Sequence, residues 1–360
     1  MRVSPNQLIP GCMITEDIIG KTNHIIIAKN TVINSNHILV LKRFLIDKVQ
    51  VSNKLMSGEL FVPQEEIEEE EETIEPIYPS FLDVYLQAVV EYKKMFKNWQ
   101  SGSPVLINEV RKFFLPLIEK VLESSKEIFL LHHYSTKEDY LYHHSIAVGL
   151  ISAFIANRIP VYKKDAIQIG LAGFLSDCGM ARIDESILHK ETSLTQKEYE
   201  EVRKHPTYSY RMIEKISVLK DEAKVGILQH HERLDGSGYP MGVTDKKFPP
   251  YGRIIAISDM YHAMTSERIY RRKTSPFKVV EEIMQGQFGK FDHKIVRTFV
   301  DSLTNYSTGT WVRLSNGLKG EIIFIEDSSP TRPMIRLEDG EIIHLKKIHD
   351  IYIKEILNVT

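Results

Sequence analysis

The 360-residue chain has little cysteine, little tryptophan and almost no net charge. Two cysteines, Cys12 and Cys178, cannot build a disulfide framework, so a reducing, cytoplasmic setting is expected. Lys+Arg 46 against Asp+Glu 48 leaves a net charge of -2, which gives no global basic field to draw nucleic acid. No apolar run approaches the ~18 residues that a membrane helix needs. The opening stretch MRVSPNQLIPGCMITEDIIG lacks the basic end and apolar core of a secretion signal. Neither a membrane nor a nucleic-acid partner is therefore expected. What is present is an ordinary globular composition, 42% hydrophobic and 26% charged, on more chain than one core usually organises, so two or three domains are expected. Histidine is the exception: there are 14, several of them in the apolar middle of the sequence.

Residues 1–60 carry short β-rich runs, Ile25-Ile26-Ile27 and Val49-Gln50-Val51, around a helix expected over His37 to Ile46. This is a small α+β module. Residues 61–79 contain EEIEEEEE from Glu65 to Glu72, a self-repelling run that reads as a solvated acidic linker. From residue 80 to 304 the pattern is helical, with apolar steps of three and four in Leu82–Trp99, Val105–Leu122, Leu141–Ile159 and Val279–Phe288. Thr195 with Glu198 is a capping box for a helix running towards His205. Residues 306–360 change period again. Trp311–Leu314, Glu321–Glu326, Met334–Leu337 and Ile342–Leu345 alternate, with hairpin turns at Asn316-Gly317 and Asp339-Gly340. A small β-barrel of SH3-like type is expected there, and its lysines are balanced by Glu321, Glu338, Asp339 and Glu341. The fold class is thus mainly α, a helical bundle flanked by two small modules.

Within the helical stretch, polar groups fall on apolar segments. His144 shares a face with Val148, Ile151 and Ile155; alone it would read as a satisfied core histidine. Asp177 interrupts IQIGLAGFLSD, His205 ends the capped helix, His230 and His231 close another, and Asp259 lies in GRIIAISDMYHAM. Burying so many ionisable groups unpaired costs several kcal/mol apiece, on the order of what desolvation penalties give. A cation removes that cost, and imidazoles with carboxylates suit Mn, Fe, Zn or Ni. Helices that converge side chains on a bundle interior build such centres.

The stretch HHERLDGSGYP, His230 to Pro240, resembles the signature of HD-GYP domains, a branch of the HD metal-dependent phosphohydrolases. The likeness runs from Lys137 to Leu303. It includes HSIAV at His144, ILHKETSLT around Lys190, KHP at His205 and RIIAISDMYHAMTSERIYR ending at Arg271. Members of that family hydrolyse cyclic di-GMP at a two- or three-metal centre in a helical bundle. The resemblance implies His144, Asp177, His205, His230, His231 and Asp259 as metal ligands, with Asp177 the bridging, catalytic carboxylate. It implies two divalent ions, Fe or Mn before Zn or Ni, that activate water for attack on a phosphodiester phosphorus. Lys190, Gly238, Tyr239, Pro240, Arg268, Arg271 and Arg272 become substrate-side candidates, and the GYP loop is also a candidate surface for a signalling partner.

Two positions depart from the family pattern. Ser176 stands where the His of the His-Asp pair is expected, and Met180 where a lysine is expected. A hydroxyl is a poor ligand beside imidazole, so one ion loses a donor. Cys178 and His143 point elsewhere on a helix, whereas His262, three residues after Asp259, is a candidate compensating ligand in a place where the family has Asp. Tyr140 replaces the Glu of three-metal members, so a third ion is not expected. Three functions follow: a slowed cyclic di-GMP phosphodiesterase, an inactive metal- and dinucleotide-binding receptor, or a metal-stapled structural domain. A homodimer through the Leu82–Leu122 helices is an option that the sequence leaves open.

Overall fold

The computed structural model describes the chain apart from residues 20–24, 35–36, 39–40, 42–45, 47, 64–79, 124–125, 191, 267–273, 287–288, 304–307, 327–328 and 358–360. It divides into two compact units, Met1–Tyr78 and Pro79–Thr360. In the first, β1 (Arg2–Val3) pairs antiparallel with β4 (Val49–Gln50), and β2 (Ile18–Ile19) with β3 (Ile25–Ile27). Val3, Leu8, Cys12, Ile14, Ile33, Leu41, Val51 and Phe61 form its core. Most of the expected helix over His37 to Ile46, and nearly all of the acidic linker, lie outside the described residues.

The second unit begins with α1 (Phe81–Gln100), whose N-cap Ser80 accepts from the backbone N–H of Asp83 while the Asp83 carboxylate accepts from that of Ser80. There follow α2 (Ile107–Glu123), α3 (Lys126–Tyr134), α4 (Tyr140–Arg158), α5 (Ala166–Leu175), a 3-10 turn over Cys178–Arg182 and the short α6 (Glu185–Leu188). Next come α7 (Gln196–Val202), α8 (His205–Ile213), α9 (Asp221–Gln229), α10 (Pro250–Thr265), α11 (Pro276–Gly286) and α12 (His293–Leu303). The Thr195–Glu198 capping box starts α7. That helix stops at Val202, however, and His205 opens α8, where Pro206 occupies an early position that needs no backbone donor.

Helix α4 is the axis of the bundle, buried from His143 to Ala156, and it packs on α2, α5 and α10. Its approach to α5 is close because both contribute glycine. A Cβ on Gly149 would stand 2.7 Å from the carbonyl oxygen of Gly170, and one on Gly173 would stand 3.0 Å from Gly149 Cα. Neither helix can carry a side chain there without moving apart.

At the C-terminus, β5 (Trp311–Leu314), β6 (Lys319–Phe324), β7 (Met334–Leu337), β8 (Ile342–His344) and β9 (Ile353–Ile356) form an antiparallel sheet in the order β8-β7-β6-β5-β9. Gly317 and Gly340 take positive φ at the expected turns. Among the described residues no β8–β9 pairing closes the sheet into a barrel. The sheet is docked on the helices: Phe277 of α11 enters its core, Ser275 donates to the Ile353 carbonyl, and buried Arg332 pairs with buried Glu281. Among the described residues no helix is long and apolar enough to cross a membrane.

Candidate metal centre

Five segments deliver the polar side chains. His144 projects from the first turns of α4, Asp177 from the corner after α5, His205 from the start of α8, His230 and His231 from the turn that ends α9, and Asp259 from α10. One ligand atom each from Asp177, His205, His230 and His231 fall within 4.8 Å of one another. Asp177 faces two ways. Its Oδ1 lies 3.1 Å from His205 Nε2 and 3.5 Å from His230 Nε2, while its Oδ2 lies 3.5 Å from His144 Nε2. Asp259 joins the second side, with Oδ1 3.0 Å from His144 Nε2 and Oδ2 3.5 Å from His231 Nδ1.

The donor chemistry fits cations. His205 Nδ1 and His230 Nδ1 each lie 2.7 Å from a backbone carbonyl, those of Val202 and Ile227. A carbonyl only accepts, so both Nδ1 atoms carry a proton, and each ring in its neutral form presents an Nε2 lone pair. Those two Nε2 atoms stand 3.2 Å apart, with a carboxylate oxygen beside them. Lone pairs converging at that spacing require a proton or a cation between them, and three donors around one point suit a divalent ion. Burial by itself would raise the Asp177 carboxyl. Hydrogen bonds from His205 and His230, with the charges of His205 and His144, outweigh it and hold the group well below the usual carboxylate range. Asp259, with His144 and His231 beside it, is likewise held below the usual carboxylate range although burial opposes this. Burial, then the neighbouring His230, pushes His231 well below the ordinary imidazole value, into the neutral form that ligates metal.

The GYP loop folds inward onto this cluster. The Glu232 carboxylate, fully buried, accepts from the backbone N–H groups of Met241, Gly242 and Val243. Tyr239 N donates to the His231 carbonyl, and the Tyr239 ring lies 4.7 Å from that of His231, with the Arg203 guanidinium 4.5 Å from its centroid. Gly238 is obligatory in this arrangement, since a Cβ there would meet Glu232 Cα at 2.4 Å. Pro240 is exposed and joined to Tyr239 by a cis bond. Arg203 carries no signal in the sequence, and Glu232 is marked there only as part of HHERLDGSGYP, with no role assigned.

The remaining candidates are placed as follows. Ser176 Oγ donates to the Gly173 carbonyl at 2.8 Å, so its hydroxyl proton is committed to its own helix. The Cys178 thiol, pushed up to about 12 by burial, points to the Ser209 carbonyl. His143 Nδ1 lies 3.1 Å from the Tyr85 hydroxyl. Lys190 Nζ is paired with Glu198 at 2.6 Å, in the capping box of α7. His262 Nδ1 stands 3.0 Å from His144 Nδ1, across the ring from the nitrogen that faces Asp259. Arg268, Arg271 and Arg272 lie outside the described residues.

The HD domain model matches residues 116–295, half of the chain, and the chain belongs to that family. Within it the chain is of the HD-GYP branch. It is 28% identical over 246 residues to the cyclic di-GMP phosphodiesterase PA4108 of Pseudomonas aeruginosa, a match covering 68% of this chain and 58% of that protein. It is 33% identical over 135 residues to the 3'3'-cGAMP-specific phosphodiesterase 3 of Vibrio cholerae, covering 38% of this chain and 29% of the other. The chain thus spans a little over half the length of PA4108. Among solved structures, Bd1817, a HDG"Y"P protein from Bdellovibrio bacteriovorus, superposes with a TM-score of 0.51 at 12% identity, over 85% of this chain and 99% of the other. That likeness shows an HD-type fold, mainly helical with a small C-terminal sheet.

Proposed function

We propose that the chain is an HD-GYP-type phosphodiesterase that acts on cyclic di-GMP, slowed by Ser176 and Met180. The carrying observation is the Asp177 carboxylate, whose two oxygens face separate imidazole sets. Asp177 would bridge two divalent ions, Fe or Mn before Zn or Ni. His205, His230 and His231 would complete the donors of one ion, and His144 and Asp259 those of the other. Ions bound by these residues would supply charge neutralisation at the phosphate oxygens and an activated water. The chain's own contribution is to orient them: carbonyls fix the His205 and His230 tautomers, and the Tyr239 ring covers His231. The related cyclic di-GMP and cyclic GMP-AMP phosphodiesterases support a cyclic dinucleotide as substrate; Arg268, Arg271 and Arg272 are its candidate contacts by the family resemblance alone.

The second reading is a receptor that binds metal and dinucleotide without turnover. The committed Ser176 hydroxyl and the uncharged Met180 favour it, because ground-state binding and transition-state stabilisation are separable. We read the C-terminal sheet as an SH3-like module, on the strength of its strand order. A signalling partner at the GYP loop, and a homodimer through α1, where Leu82, Leu86 and Val90 are exposed at four-residue steps, belong to the same proposal.

The deciding experiment follows turnover of cyclic di-GMP, with 3'3'-cGAMP in parallel, by the Mn-loaded native chain and a Ser176→His/Met180→Lys variant. Turnover by the native chain supports the enzyme. Turnover only in the variant, with nucleotide binding in both, supports the receptor. A native chain that takes up no divalent ion refutes both.

A further inference from the structure

Both ring nitrogens of His144 are gripped from one turn of α10. Asp259 Oδ1 stands 3.0 Å from Nε2, and three residues later His262 Nδ1 stands 3.0 Å from Nδ1. His262 is fully buried, and its Nε2 lies 3.1 Å from the hydroxyl of Ser266, itself buried at the end of the same helix. The Tyr140 hydroxyl also lies 3.0 Å from His144 Nδ1, with its ring stacked on the His144 imidazole at 5.1 Å and 6.3 Å from that of His262.

We infer that His262 is a positioning residue that fixes His144 in the tautomer whose Nε2 is free to ligate; this rests on the metal-centre reading above. An imidazole that gives its Nε2 lone pair to a cation keeps its proton on Nδ1, and that proton needs an acceptor. His262 offers a lone pair at Nδ1 when its own proton sits on Nε2, and Ser266 Oγ then accepts from Nε2. The hydrogen bonds from His144 to His262 to Ser266 then leave none of these buried ring nitrogens without a partner and need no net charge. An imidazole nitrogen is a stronger acceptor than the Tyr140 phenol oxygen, so the His144 proton goes to His262. On this account His262 works at the nitrogen remote from the ion and is not itself a ligand. The ion on this side depends most on His144, because Ser176 contributes no imidazole and donates its hydroxyl proton to Gly173.

The test is metal content and affinity, measured with Mn(II) on the native chain, His262→Leu, His262→Asn and Tyr140→Phe. His262→Leu is expected to bind one of the two ions about ten- to a hundredfold more weakly. His262→Asn, whose side-chain oxygen takes the Nδ1 position, and Tyr140→Phe are expected to retain both ions near native affinity. The tautomers are read directly from imidazole nitrogen-15 shifts of the Zn(II)-loaded native chain: His144 protonated on Nδ1, His262 on Nε2. If His262→Leu does not fold, these shifts decide. Native affinity in His262→Leu, loss of the ion in Tyr140→Phe or His262→Asn, or a proton on His262 Nδ1 overturns the inference and leaves the metal centre standing. A native chain without divalent ions removes the reading on which it rests.

Discussion

Glu232 offers the sharpest test of how the motif loop is held. Its Oε1 accepts from the backbone N–H of Met241 at 2.7 Å and of Gly242 at 3.1 Å, and its Oε2 accepts from that of Val243 at 3.1 Å. In Glu232→Gln one oxygen remains. Turned towards Met241 and Gly242 it keeps two bonds without the charge, and its NH2 then confronts the Val243 donor. Hydrogen bonds to charged groups contribute roughly 1.5–3 kcal/mol and neutral ones roughly 0.5–1.5, so two weakened bonds lose about 2 kcal/mol together. The opposed donor, left without an acceptor in a buried position, costs about 1–3 kcal/mol more. A total of roughly 3–5 kcal/mol corresponds to local opening that is easier by about two to four orders of magnitude. Hydrogen–deuterium exchange read at the amides of residues 241–243 measures this opening without assuming two-state unfolding of a two-unit chain. Because Tyr239 rests on His231, affinity for an ion that His231 would hold is expected to fall in parallel. Exchange at those three amides within tenfold of native would refute the reasoning.

Asp177→Asn replaces a two-sided carboxylate by one neutral oxygen, so metals per chain, counted after gel filtration, should fall from two to one or none; a retained count of two would deny the bridging role. Arg332→Met strands the buried Glu281 carboxylate and should lower stability by about 3–5 kcal/mol in denaturant unfolding, most of it regained when Glu281→Leu is added. Burial alone would raise the Glu281 carboxyl, but Arg332 more than offsets it and the folded value lies below the ordinary 4.5. A depressed folded value means that the pair stabilises fully above about pH 4.5 and loses its contribution as pH falls further, so the native chain and the double variant should converge in acid. A difference between them that stays constant down to pH 3 would contradict this.

What the sequence made legible was mostly local. The helices over Phe81–Gln100, Ile107–Glu123 and Tyr140–Arg158 follow from three- and four-residue apolar steps, and the hairpins from Asn316-Gly317 and Asp339-Gly340. Those signals lie within a few residues of what they specify. Strand β9 was not read, because Ile353–Ile356 has apolar residues only at its ends and is defined by pairing with β5, some forty residues earlier. The Glu281–Arg332 pair was equally hidden, since nothing near either residue marks a partner 51 positions away. Around Asp177 a helical wheel was the wrong instrument. Helix α5 ends at Leu175 and the chain enters a 3-10 turn, so the orientation of Cys178 follows from the Ser209 carbonyl and not from a 100° step.

The same limit separates the two residues that α10 sends to His144. Helix periodicity puts Asp259 and His262 on one face, and any reading of that face brings both near the first histidine. Periodicity cannot say which ring nitrogen each one meets, because that is set by the rotamer and by the proton each partner can take. Asp259 has only acceptor oxygens and lies at Nε2, among the other carboxylate and imidazole groups. His262, with one donor and one acceptor nitrogen, lies where a donor must be answered on one side and a hydroxyl on the other. A carboxylate can serve at either place. An imidazole serves at the second only when its own N–H has an acceptor, and Ser266 Oγ is that acceptor. The pattern of Asp259, His262 and Ser266 at steps of three and four is therefore a statement about proton positions as much as about helix faces, and only the folded ring of contacts makes it readable.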